Sequence, residues 1–167
     1  MAILEIKTYP DKFLMQPTNP VEKIDKTIQK TIDDMAATMY AAPGAGLAAI
    51  QIGCDKSILV YDISPREENQ SLQVLINPRI VSSEGVIISE NEGCLSVPDL
   101  RADVKRATKI VVEGLDREGN PLKIEADGYP AIVLQHELDH LNGILFIDHI
   151  SALKRGLYKK RIKKKLM

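Results

Sequence analysis

The sequence predicts an α+β fold built as one domain spanning residues 1–167. Three observations carry this expectation: an apolar stripe at helical spacing near the N-terminus, a middle stretch of short β-rich runs, and a return to helical patterning from residue 131. Asn19-Pro20-Val21-Glu22 reads as a helix start, with Asn19 as N-cap, Pro20 in the first turn and Glu22 reaching back. Val21, Ile24, Ile28, Ile32, Met35 and Met39 then recur at spacings of three and four. Pro43 and Gly44 end the pattern. Segments 57–62, 73–76, 80–89, 109–115 and 122–126 read as strands, with a hairpin loop at Asp116–Asn120. Segment 131–142 returns to helix and Gly143 caps it. Ser151 caps a last helix, in which Ile150, Leu153 and Leu157 share one face and Tyr158, Ile162 and Leu166 lie nearly opposite. The expectation is that its first half packs on the body and its second half projects or packs elsewhere.

At 167 residues the chain is long enough to bury a core, and its charged and apolar fractions are those of an ordinary soluble protein. No apolar run approaches the ~18 residues of a membrane span. The N-terminus meets an acid at Glu5 and does not read as a secretory signal. Two cysteines make no disulfide framework, so a reducing, cytoplasmic setting is expected. Net charge is −1, but residues 151–167 hold eight of the 22 basic residues and no acid. The remainder carries 14 basic against 23 acidic groups, which points to the tail as the part that meets a polyanion.

The strongest chemical signal is Gln135-His136-Glu137-Leu138-Asp139-His140. Two histidines four apart share a helix face and can hold one metal, and Glu137 lies beside the open position as a proton acceptor. A hydrolytic centre usually has three protein ligands. Downstream, Phe146 stands where one protease class has a third histidine, and no glutamate follows Glu137. Asp148 and His149 are the remaining downstream options, past the helix stop. Upstream, Cys94 in Glu92-Gly93-Cys94-Leu95-Ser96 is the better candidate, whereas Cys54, beside Ile52 and Gly53, reads as packing. A third element, Gly44-Ala45-Gly46-Leu47-Ala48-Ala49-Ile50-Gln51, offers glycines that let a backbone pass closely and a glutamine that can donate to an oxyanion.

G-x-G-L-A-A-x-Q, E-G-C-L-S and Q-H-E-x-D-H-L-N-G, in this order, are the three motifs of peptide deformylases. The chain resembles that family over nearly its whole length. The resemblance implies antiparallel β-sheets around a central metal-binding helix, flanked by N- and C-terminal helices. It implies Cys94, His136 and His140 as ligands of one divalent ion, with Fe²⁺ as the physiological metal and Zn²⁺, Ni²⁺ or Co²⁺ possible in purified protein. It makes Glu137 the general base, with Gln51 and the Leu95 amide stabilising the oxyanion. The substrate would be the formyl-methionine end of a nascent polypeptide. Gly44, Ala45, Gly46, Gly93, Tyr129, Ile132 and Val133 would bind it, and Arg101 would steady the metal loop.

Two departures bear on the cleft. Pro43 stands where many members carry an acid, and Glu90 and Asn91 precede Glu92 where an apolar residue often helps wall the pocket. The basic last helix resembles the segment by which bacterial members dock on the ribosome, and a monomer is expected. Rival readings are a general H-E-x-x-H metallopeptidase, a non-catalytic relative that binds metal or peptide, and a nucleic-acid-binding module. The absent downstream ligand argues against the first. Retention of Gln51, Cys94, His136, Glu137 and His140 argues against the second. The acidic body and few aromatics argue against the third.

Overall fold

The computed structural model describes residues 2–64 and 70–166. Among them helix α1 spans Lys26–Ala41, α2 Tyr129–Leu141 and α3 Ala152–Lys165. The strands are β1 (Gly46–Ala48), β2 (Ile58–Tyr61), β3 (Gln73–Glu84), β4 (Ile87–Cys94), β5 (Val97–Arg106), β6 (Lys109–Leu115) and β7 (Pro121–Asp127). They form a five-stranded sheet in the order β1-β2-β3-β6-β7 and a separate hairpin of β4 and β5, with every strand pair antiparallel. The expected α+β class and central helix are therefore present. No helix of the described residues is long and apolar enough to cross a membrane.

Strand β2 shows why the sheet is covered on both faces. All four of its residues are buried. Ile58 and Val60 pack with Ile32, Met35 and Met39 of α1, whereas Leu59 and Tyr61 pack with Leu134 and Leu138 of α2. Alternation along a strand sends successive side chains to opposite faces, so a strand between two helices must be apolar throughout. Helix α2 is thus held against the sheet by its leucines, and its other side is left for polar work.

The first helix starts later than its sequence pattern suggests. Asp25, not Asn19, is its N-cap, accepting from the Ile28 amide. Asn19 instead bonds Asp55 and pairs in parallel with Lys56. Asn77 clamps the backbone of Val21 from both sides, donating to its carbonyl and accepting from its amide. Tertiary hydrogen bonds hold this segment extended, which overrides the local capping signal.

The run 80–89 is not one strand. β3 ends at Glu84, and β4 begins at Ile87 in the other sheet. Gly85 makes the corner at φ +77°, where a Cβ would meet the Thr108 hydroxyl at 2.8 Å. The segment 73–84 is conversely one strand, bent by register shifts near Asn77 and Ile80. Helix α2 begins at Tyr129, earlier than the apolar pattern, because Pro130 fits a helical first turn.

The first half of the last helix does not pack as expected, and it is the second half that meets the body. Leu153 and Leu157 are exposed, whereas Tyr158 and Ile162 are buried. The Tyr158 hydroxyl donates to the Pro98 carbonyl, and its ring lies against Tyr9. Arg161 donates to the Asp99 carbonyl and Lys165 pairs with the Asp99 carboxylate. The second half of α3 therefore braces the start of β5, just after Cys94. The Tyr158 ring is buried there beside Ile162 with its hydroxyl satisfied by an acceptor, as a buried tyrosine requires.

Candidate metal centre and active site

The site forms where three elements meet. Cys94 ends β4, and the two-residue turn Leu95-Ser96 leads to Val97. His136, Glu137 and His140 come from α2. Gln51 comes from the 3₁₀ turn Ala49–Ile52 that follows β1. Among the described residues, Cys94, His136 and His140 bring ligand atoms within 4.8 Å of one another. The Cys94 sulfur lies 3.2 Å from His140 Nε2. Sequence reasoning placed these three together, and the structure brings them together.

The donor set fits a divalent ion. One sulfur and two imidazoles suit several transition metals. The His136 ring turns its Nδ1 towards Glu92 Oε1, 3.7 Å away, which leaves Nε2 for a ligand. Burial lowers the pKa of His140 well below its usual value, helped by His136 and Arg106, so its ring is neutral and its lone pair available. Burial also works against a charge on His136, but Glu137, Cys94 and Glu92 raise its pKa well above the usual value. Two buried polar atoms beside the cluster, Glu137 Oε1 and His140 Nδ1, have no hydrogen-bond partner among the described protein groups. Unsatisfied buried polar atoms are uncommon away from working sites.

Gln51 is held for donation. Its Oε1 accepts from the Ala48 amide at 2.9 Å. Its Nε2 therefore faces the site, donating to Ser96 Oγ at 3.0 Å and lying 3.8 Å from the Cys94 sulfur. The Ser96 amide also points at that sulfur, at 3.4 Å.

Glu137 is 5% exposed and lies against β1. A Cβ on Gly46 would come within 2.7 Å of its Oε2. Burial is the main cause that pushes the Glu137 carboxyl up to about 7, opposed by His136 and reinforced by Glu92.

The segments that carry Cys94, His136 and His140 are locked from behind. Arg106 of β5 donates two bonds to Glu92, at 2.8 and 3.2 Å, and a third to Asp139 at 2.7 Å. Burial disfavours its charge, but these carboxylates raise its pKa. Glu92 is held below the usual carboxylate range by His136 and Arg106 against the cost of burial. Gln135 clamps the Ala107 backbone, accepting from its amide and donating to its carbonyl, each at 2.9 Å. Phe146 stacks on His136 with ring centres 6.3 Å apart, so it walls one histidine of the cluster. Cys54, half-buried, packs in the α1 cluster as expected.

Arg106 and Ser96 are the site residues that sequence reasoning missed. Alternation along Ala102, Val104 and Arg106 would have placed the arginine on the apolar face of a strand. Ser96 carried a weaker signal, its place two residues after the cysteine.

A cleft of about 780 Å³ opens over the centre. Its walls include Gly44, Ala45, Gly46, Gln51, Gly93, Cys94, Leu95, Tyr129, Ile132, Val133, His136 and Glu137, so all seven expected substrate-binding residues border it. Pro43, Glu90 and Arg101 border it too. Arg101 lies over Gly93 and donates to the Asn91 carbonyl at 3.2 Å, in contact with the cysteine-bearing hairpin.

The model of the polypeptide deformylase family matches residues 3–156. A peptide deformylase of Desulfosudis oleivorans is 53% identical over 99% of this chain and 96% of its own. That of Thermodesulfovibrio yellowstonii is 55% identical over 99% of both. A crystal structure of peptide deformylase from Ehrlichia chaffeensis in complex with actinonin is 42% identical, covers 99% of this chain and 98% of its own, and superposes with a TM-score of 0.92. Three motifs in order, a Cys-His-His cluster beside a buried glutamate, and full-length likeness in sequence and fold lead to one conclusion: the chain belongs to the peptide deformylase family, metal-dependent hydrolases that remove the N-formyl group from nascent polypeptides.

Proposed function

We propose that Cys94, His136 and His140 hold the metal ion of this deformylase, that Glu137 moves the protons, and that Gln51 and the Leu95 amide stabilise the oxyanion. The single observation that carries this reading is the buried Glu137 carboxylate, with a partnerless oxygen, between two histidines that converge with Cys94. A divalent ion held there would supply Lewis acidity, bringing the ionisation of water into the neutral range and polarising the formyl oxygen. Glu137 takes the proton that water loses as its oxygen attacks the formyl carbon. It then passes that proton to the amine nitrogen as the C–N bond breaks, which leaves formate and a free N-terminus. A carboxyl pushed up to about 7 is suited to taking and returning a proton near neutral pH. Gln51 Nε2, oriented by Ala48, and the backbone N–H of Leu95 donate to the formyl oxygen as it gains charge.

The ion is Fe²⁺ in the cell, and a thiolate with two imidazoles also accepts Zn²⁺, Ni²⁺ or Co²⁺. Residues 1–167 act as one cytoplasmic catalytic domain and as a monomer. The substrate methionine enters between Ile132 and Val133 of α2, with Tyr129 and Ala45 at the rim, while Gly44, Gly46 and Gly93 let its backbone pass. Actinonin, bound by the Ehrlichia enzyme, would occupy the same cleft. The ribosome is met by the exposed lysines of α3, Lys159, Lys160, Lys163 and Lys164, through attraction to RNA phosphates. Replacing those four with glutamine should weaken ribosome binding and spare activity on short peptides; unchanged ribosome affinity would refute this contact.

The reaction is tested by formate release from formyl-Met-Ala-Ser, using protein loaded anaerobically with Fe²⁺ alongside Glu137→Ala. Release by the wild type and its loss in the variant, with one metal per chain in both, is the expected result. Full turnover by Glu137→Ala would overturn the assignment of the base.

A further inference from the structure

We propose that His149 is a positioning residue for the metal centre, acting through a polar chain from the rear surface to the ring of His136. The inference rests on the reading of His136 as a ligand. His149 Nε2 lies 2.8 Å from Asp139 Oδ2. The same oxygen accepts from Arg106 Nη1 at 2.7 Å. Arg106 Nε and Nη2 donate to the two oxygens of Glu92. Glu92 in turn faces His136 Nδ1 at 3.7 Å. The chain spans four elements: the 3₁₀ turn after α2, α2 itself, β5 and β4.

Each link narrows the freedom of the next. Arg106 is shared by two carboxylates, and its side chain is only 4% exposed. Its planar fork can satisfy Glu92 and Asp139 together in one orientation. Asp139 is more open, at 21%, and its Oδ2 carries both the Arg106 and the His149 contacts. Without His149 this carboxylate keeps Arg106 alone and opens to water on its other side. It can then turn, and the guanidinium that fixes Glu92 loses one of its two anchors. Glu92 selects which nitrogen of His136 faces the cluster, so slack at the surface becomes slack at a ligand. Outer partners of metal ligands commonly set affinity through such orientation.

An exposed His–Asp pair on its own contributes little. This one differs because Asp139 sits on the same helix as His136 and His140, between them in sequence, and its oxygen is already committed to a buried arginine. His149, the histidine downstream of the motif, does not join the Cys94, His136 and His140 cluster. The structure puts its nitrogen on Asp139, on the far side of Arg106 and Glu92 from His136.

The test measures the rate at which Co²⁺ leaves the full-length protein in a chelator chase, with the visible Co²⁺ spectrum as a second readout. His149→Ala should release Co²⁺ faster, by roughly tenfold, with a shifted spectrum. His149→Gln, whose amide can still donate to Asp139, should restore most of the wild-type rate. Asp139→Asn should release faster as well, and adding His149→Ala to it should have little further effect, because both act through one chain. Release by His149→Ala within twofold of the wild type would overturn the inference. So would additive effects in the double variant, or a glutamine variant as fast as alanine. If wild-type protein failed to bind Co²⁺ at one per chain, the metal-site reading would fall first, and this inference with it.

Discussion

Gly46 and Glu137 share a space that admits no further side-chain atom: a Cβ on Gly46 would sit 2.7 Å from Glu137 Oε2 and 2.8 Å from its Cγ. The glycine of the first motif is therefore the seat of the carboxylate of the third. Gly46→Ala should push Glu137 out of place and cost about 10²-fold in kcat, since a displacement near 1 Å at a reacting group carries such a penalty. Metal content should stay at one per chain, because the three ligands come from other positions. Formate release and metal analysis on the same preparation would check this, and near wild-type turnover would refute it.

Glu137→Gln keeps the volume of the side chain and removes its proton chemistry. Turnover should fall by about 10²- to 10⁴-fold, the range for loss of a positioned acid–base group. Metal content, measured on the same preparation, should stay at one per chain. Loss of both together would indicate collapse of the site instead.

Arg106 neutralises Glu92, a carboxylate only 6% exposed in its side chain. Arg106→Leu leaves that charge buried without its main partner, and breaking a buried pair in this way costs about 3–5 kcal/mol. Urea denaturation should read most of that loss. Arg106→Lys should recover only part of it, because an ammonium cannot reproduce the two bonds to Glu92 plus one to Asp139.

Asp62 gives a pH signature. Burial raises its pKa, but donors from Ser64, Tyr40 and the Ser71 amide outweigh this and hold it at about 2, below its usual 3.8. A depressed carboxylate contributes stability that is present above its unfolded pKa and lost as pH falls through the folded one. Asp62→Asn should therefore lower Tm at pH 7, and the gap to wild type should shrink as pH falls from about 4 towards 2. A gap constant across that window would refute the assignment.

The two faces of α3 should respond in opposite ways. Tyr158→Ala removes a ring that is 2% exposed and a hydroxyl bond to Pro98, so a loss of about 3–5 kcal/mol is expected. Leu153→Gln and Leu157→Gln, at exposed positions, should stay within about 0.5 kcal/mol of wild type. Thermal melts of the three variants would decide which face packs.

Much of the candidate site of this protein was legible in its sequence because it is encoded locally. His136, Glu137 and His140 acquire their relation from one helical turn, and α2 forms for reasons contained in its own residues. The α+β class was legible for the same reason, since β6 and the Asp116–Asn120 loop follow from alternation and turn residues. What the sequence left open depends on partners distant along the chain. Asn19 is an acceptable N-cap, yet the Val21 backbone is claimed by Asn77, so the helix waits for Asp25. Either face of α3 could be buried by its own pattern; Pro98, Asp99 and Tyr9 supply the partners that select Tyr158 and Ile162. Alternation puts Arg106 on the apolar face of its strand, but the carboxylates that answer its charge meet it only when β5 is paired with β4 and Asp139 arrives from α2. Local spacing determines what a segment can do, and burial against distant elements determines which polar groups must be answered, by whom, and at what distance.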